Sequence, residues 1–81
     1  MKLNKQPQPL IQLYTTSACH LCEMAEALLR ETMLAAEPIE IANDDMLTAR
    51  YGTRIPVLKR LDTQAELSWP FNSQDILHFI Q

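Results

Sequence analysis

The stretch Leu10-Ile11-Gln12-Leu13-Tyr14-Thr15-Thr16-Ser17-Ala18-Cys19-His20-Leu21-Cys22 decides the fold. Leu10 to Thr15 is short and rich in apolar and aromatic side chains, which predicts a strand. Thr16-Ser17-Ala18 is a loop of small residues. From about Cys19 to Ala36 the pattern turns helical: Leu21, Ala25, Leu28, Leu29, Thr32 and Met33 fall near one face, and Glu23, Glu26, Arg30 and Glu31 largely on the other. Glu26 and Arg30 stand four apart in the favourable order. Pro38 bars continuation, because the residue before a proline is driven from helical angles.

Outward from that strand–helix join, Pro38-Ile39-Glu40-Ile41-Ala42 alternates as a second strand. Asn43-Asp44-Asp45 offers capping side chains for a short helix over 46–51, which Gly52, the chain's one glycine, is placed to end. A third strand is expected over Ile55–Leu61, a turn at Asp62-Thr63-Gln64, and a fourth strand over Ala65–Trp69 that Pro70 breaks. Asn72 or Ser73 can cap a last helix carrying Ile76, Leu77, Phe79 and Ile80. The order is β-α-β-(α)-β-β-α, an α/β class in which the first helix supplies the right-handed crossover between parallel strands. Residues 1–9 read as a polar leader punctuated by Pro7 and Pro9, and residues 10–81 as one domain. Trp69-Pro70-Phe71 is expected to form a packed corner, since exposed aromatics in so small a chain require a partner.

The chain's 81 residues allow one domain and one shared core. A net charge of −3 offers no basic footprint for nucleic acid. The N-terminal stretch lacks the apolar segment of a signal peptide, and no apolar run is long enough for a membrane span. The expectation is a cytoplasmic monomer, in a compartment where structural disulfides are rare.

That compartment shapes the reading of Cys19-His20-Leu21-Cys22. The first turn of a helix has unpaired N–H groups and a positive dipole end. A thiolate there is stabilised, and its pKa can fall from ~8.5 into a range of roughly 3.5–7.5. Three residues on, Cys22 shares the helical face and lies within disulfide reach. A structural staple closing so short a loop is worth about 2 kcal/mol by chain-entropy reasoning. A zinc site would need a second cysteine pair, for which only His20 and the distant His78 are on hand. Two unrelated thiols are the remaining bland reading. Placement in a βαβ pattern favours redox exchange over all three.

Leu13 to Cys22, with Tyr51-Gly52-Thr53-Arg54-Ile55-Pro56-Val57-Leu58 much later, resembles the glutaredoxin-like proteins of the thioredoxin superfamily, closest to a small divergent group. The resemblance covers nearly the whole chain. It implies a thioredoxin-like fold with a four-stranded mixed sheet, a nucleophilic Cys19, a resolving Cys22, and a cis Pro56 facing the pair. A cis bond there would bring the Ile55 backbone beside the cysteines, its N–H and C=O open to an extended substrate. His20 is either a solvated residue at a helix start or a charge that favours the neighbouring thiolate.

Two positions depart from the family pattern. His20-Leu21 replaces the usual Pro-Tyr, and Phe71-Asn72 replaces a Gly-Gly pair where the γ-glutamyl end of glutathione docks. Gln74 replaces an acidic residue, while Asp75 matches one. Ser73, Gln74 and Asp75 still offer helix N–H groups for a carboxylate and a carboxylate for an ammonium. The expected activity is thiol–disulfide exchange on a protein disulfide or a glutathione mixed disulfide, with weakened glutathione binding. Electrons would come from glutathione or a thioredoxin-type reductase, and the chemistry needs no metal or organic cofactor. Two other classes remain open: a non-catalytic glutathione- or protein-binding module on the same fold, and delivery of a soft metal ion such as Cu(I).

Overall fold

The chain alternates side chains across β1 (Ile11–Thr15) so that both faces of the sheet are covered. Ile11 and Leu13 point one way, into a cluster with Ala25, Leu29, Leu58, Phe71 and Ile76. Tyr14 points the other way, against Ile41, Tyr51 and Val57. The computed structural model describes residues 10–81, so the leader expected over residues 1–9 lies outside the described residues. After β1 come α1 (His20–Glu31), β2 (Glu37–Glu40), α2 (Asp45–Tyr51), β3 (Val57–Arg60), β4 (Glu66–Ser68) and α3 (Ser73–Phe79).

The strands lie in the order β2-β1-β3-β4. β1 and β2 run parallel with α1 as their crossover, while β3 is antiparallel to β1 and β4 to β3. This is the four-stranded mixed sheet of a thioredoxin-like fold. Residues of α1 and α3 cover one face and residues of α2 the other, so the two central strands are apolar on both sides. The corner at Trp69-Pro70-Phe71 is packed: the Trp69 and Phe71 rings meet edge to face at 5.0 Å, and Phe71 is buried. The Trp69–Pro70 bond is cis, which the sequence reading does not anticipate.

Several boundaries are tighter than the periodicity suggests. The first helix ends at Glu31, not near Ala36. Thr32 Oγ1 donates to the Leu29 carbonyl at 2.9 Å, and Met33 turns left-handed at φ 60°. The Met33 N–H then reaches Arg30 O and the Leu34 N–H reaches Leu29 O, each at 3.1 Å. That paired closure is a Schellman turn, with Leu34 folded back onto the core. The apolar run Leu34-Ala35-Ala36 therefore continues the hydrophobic pattern but not the helix.

Met33 is 90 % exposed and occupies a position that usually takes glycine. The left-handed conformation costs an L-residue of order 1 kcal/mol. Met33→Gly should therefore raise stability by about 0.5 kcal/mol after the backbone entropy of glycine is charged against it. A thermal melt reads this as a rise of a few degrees in Tm, at roughly 4–8 °C per kcal/mol for a domain of this size. A lowered midpoint would show that the Met33 side chain makes a contribution its exposure hides.

Gly52 ends α2 for a different reason than expected. Its φ is −54°, so no left-handed turn is involved. A Cβ there would stand 2.5 Å from the Thr48 carbonyl oxygen, and the close approach is what excludes a side chain. At the other end of the helix, Asp44 Oδ1 accepts from the N–H groups of Met46 and Leu47 at 2.9 and 3.1 Å. Arg60 of β3 donates to the carbonyls of Phe79 and Gln81, both at 2.8 Å, which ties the end of α3 to the sheet.

Candidate active site

The site assembles where β1 and β2 end and β3 begins. Thr15 pairs with Glu40 across the parallel ladder. Tyr14 pairs with Val57 across the antiparallel one, so the next step brings Pro56 level with Thr15. Four residues beyond Thr15 the chain reaches Cys19, which caps α1 with extended angles (φ −115°, ψ 107°). Its Sγ accepts the Cys22 N–H at 3.1 Å. In the reduced protein the same N–H and the positive end of the helix would stabilise a thiolate at Cys19.

Cys19 and Cys22 are joined as a disulfide, with their Cα atoms 5.2 Å apart. The two sulfurs differ in access. Cys19 is partly exposed, whereas Cys22 is 1 % exposed. His20 stands out in solvent with Nδ1 4.0 Å from Glu23 Oε1. Among the described residues, no three His, Cys, Asp or Glu side chains converge as a metal-holding group.

The Ile55–Pro56 bond is cis, and Pro56 is fully buried. Its carbonyl accepts the Trp69 N–H at 3.1 Å. The expectation that Ile55 offers both backbone groups to a substrate is corrected in part. The Ile55 N–H already donates to Tyr51 O at 3.0 Å, because the turn after α2 folds back on itself. Ile55 is half-buried against the Tyr14–Tyr51 cluster.

Ser73, Gln74 and Asp75 open α3, but away from the cysteine end of α1. Ser73 Oγ donates to Glu31 Oε1 at 2.8 Å. Glu31 lies nine residues beyond Cys22, about 13.5 Å along the helix axis. Asp75 and the N-cap Asn72 form a reciprocal capping box, with Asn72 N to Asp75 Oδ2 and Asp75 N to Asn72 Oδ1 both at 2.9 Å. Gln74 is exposed. Two of the three side chains expected to meet a ligand thus already have partners within the chain.

Sequence reasoning missed Glu40. Read as the polar step of an alternating strand, it proves to bind the loop before Cys19. Its Oε1 accepts the Ser17 N–H at 3.1 Å and its Oε2 the Ala42 N–H at 2.9 Å. The Thr16 hydroxyl and these N–H groups hold its carboxyl below the usual carboxylate range. The available signal was an acidic residue at the end of the strand expected to pair in parallel with β1.

The sequence model of the family described as Glutaredoxin-like domain (DUF836) matches residues 10–81. The chain belongs to this family. The glutaredoxin-like domain is similar to target protein XcR50 from X. campestris, whose X-ray structure is 33 % identical with a TM-score of 0.80, covering 85 % of this chain and 92 % of that one. The solution structure of XcR50 agrees, at 32 % identity and a TM-score of 0.78, covering 86 % and 90 %. Protein Ne2328 from Nitrosomonas europaea, solved by NMR, is 27 % identical over 99 % of this chain and 100 % of that one, with a TM-score of 0.76. No curated protein matches the chain significantly. Family and cysteine pair together fit thiol–disulfide redox chemistry. Among the described residues, no helix of the glutaredoxin-like domain is long and apolar enough to cross a membrane.

Proposed function

We propose that this protein is a thiol–disulfide oxidoreductase in which Cys19 attacks and Cys22 resolves. The unequal access of the two sulfurs carries the reading: one sits at a helix N-cap within reach of solvent, the other is buried a turn behind it. The Cys19 thiolate attacks one sulfur of a substrate disulfide. A mixed disulfide forms, and the second substrate sulfur leaves as a thiolate that takes a proton from solvent. Cys22, having given its proton to solvent, attacks Cys19 Sγ. The S–S bond to the substrate breaks, the Cys19–Cys22 disulfide forms, and the substrate has gained two electrons. An external thiol, either glutathione or the dithiol of a thioredoxin-type reductase, returns the pair to its reduced form. The reducing pool of the cytoplasm is the setting this cycle requires.

A protein disulfide is the better substrate. Leu21 and Met24, on the first turns of α1, are 42 % and 43 % exposed, an apolar surface that a polypeptide partner would cover. The glutathione side is weaker. Phe71 and Asn72 place side chains where the resemblance implies a bare Gly-Gly backbone, and Ser73 is engaged at the far end of α1.

Turnover of a protein disulfide and of a glutathione mixed disulfide, compared in one assay, tests both parts. The expected result is faster reduction of the protein disulfide. Efficient, saturable deglutathionylation at low glutathione would overturn the substrate preference. A folded protein that turns over neither substrate would leave only a binding module.

A further inference from the structure

We propose that Glu40 is a positioning residue for the nucleophile: its carboxylate fixes the loop at residues 16–18 that sets Cys19 on the N-cap of α1. The inference rests on the redox reading of that cysteine.

Only three residues separate the end of β1 from Cys19, and the chain must turn within them. Ala18 does so at φ 57°. That left-handed step is strained for an alanine, and such a conformation persists only where its surroundings over-determine it. Two anchors bracket it. Downstream, the Cys22 N–H reaches Cys19 Sγ and the Glu23 N–H reaches Cys19 O, both at 3.1 Å. Upstream, the anchor is Glu40, whose Oε1 takes the Ser17 N–H at 3.1 Å.

Glu40 is itself held. Its backbone pairs with Thr15 in the ladder, the Ile41 N–H reaches Thr15 O at 3.0 Å, and the second carboxylate oxygen takes the Ala42 N–H. Among the described residues the carboxylate pairs with no Lys or Arg. Its charge is spent on the donors of this loop, and hydrogen bonds to an ionised acceptor are about twice as strong as neutral ones. Freed from Glu40, the loop has no side chain fixing its first half. Cys19 would then leave the N-cap for part of the time, and its thiolate would lose the helix N–H.

The two effects of removing Glu40 have opposite signs, which makes the test sharp. Losing a nearby negative charge lowers a thiol pKa. Losing the N-cap geometry raises it. The experiment is the pH dependence of Cys19 alkylation in the reduced full-length chain, resolved from Cys22 by peptide mass, for wild type, Glu40→Ala and Glu40→Gln. Glu40→Ala should move the midpoint up by about half a unit, a roughly threefold fall in alkylation rate below the midpoint. Glu40→Gln keeps one acceptor oxygen and should fall between. An unchanged or lowered midpoint in folded Glu40→Ala overturns the proposal. Should that variant fail to fold, Glu40→Gln decides alone by the same criterion. Disulfide turnover of the wild type is measured beside it. A raised midpoint with no wild-type turnover would defeat the redox reading and leave the positioning role standing, while full turnover with an unmoved midpoint would do the reverse.

Discussion

Cys19→Ser should abolish disulfide exchange, and Cys22→Ser should leave a mixed disulfide standing on Cys19. The asymmetry follows from the geometry of the join between β1 and α1. Cys19 is the more exposed residue of the pair, and its Sγ already accepts a helix N–H. A serine hydroxyl placed there holds the cap but supplies no nucleophile near neutral pH, because only the thiolate attacks a disulfide. Exchange therefore falls to the uncatalysed background. Cys22 is 1 % exposed and cannot meet a bulky substrate sulfur before Cys19 does. Its removal spares the first attack and blocks the second. The adduct should then accumulate, visible by mass as one substrate chain bound per protein and released by an added dithiol. Alkylation of the reduced wild type checks the assignment independently, since Cys19 should react first. Faster alkylation of Cys22 would reverse the roles.

Much of this site was legible in sequence because its parts are local. Cys19 and Cys22 stand three apart at a strand–helix join, and the change from a short apolar and aromatic run to a helical period marks that join without knowledge of anything distant. The seven elements and their order follow from apolar runs, helical periodicity and the turn and capping residues between them. What escaped depends on contacts across the fold. Glu40 looks like a solvent-facing step of an edge strand until the parallel pairing of β2 with β1 sets it beside Thr15. Ser73 looks free at a helix start until the packing of α3 on α1 delivers it to Glu31. The Ile55 N–H looks open until the turn after α2 closes on Tyr51. The end of α1 escaped for a backbone reason, since hydrophobic periodicity does not register the left-handed angle at Met33.

Truncating Tyr51 should cost more stability than any surface change in this protein. The ring is 1 % exposed, lies 4.2 Å from the Tyr14 ring in a stack, and carries Arg54 and Arg50 over its face at 5.2 and 5.5 Å. Its hydroxyl donates to Glu66 Oε2 at 2.6 Å, while Arg54 donates to Glu66 Oε1 at 2.8 Å and to Ser68 at 3.1 Å. Removing a buried aromatic ring costs about 3–5 kcal/mol, and a stacked aromatic pair adds roughly 0.5–1.5 kcal/mol. Domains as small as this one rarely hold far more than that in total, so Tyr51→Ala should be largely unfolded at 37 °C. Tyr51→Phe keeps the packing and leaves Glu66 with Arg54, at a cost of about 1 kcal/mol. Glu66→Ala is worse, roughly 1–3 kcal/mol, because it strands a buried phenol without an acceptor. Both titrations of the pair favour the fold over a wide range. Burial, and then the hydrogen bond and charge of Glu66, push the Tyr51 phenol up to about 12. A raised folded-state pKa gives stability that is complete below about 10 and lost as pH climbs from there toward 12. For Glu66, burial acts to raise the pKa, but the hydrogen bonds from Tyr51 and Arg54 outweigh it and the value is lowered. Its share holds above the ordinary carboxylate range and fades on acidification. Denaturant melts of the three variants from acid to alkaline pH should therefore rank Tyr51→Ala, Glu66→Ala and Tyr51→Phe in falling order of damage at neutral pH. In Tyr51→Phe the alkaline loss between 10 and 12 should shrink. A Glu66→Ala variant less damaged than Tyr51→Phe would show that this phenol finds another acceptor.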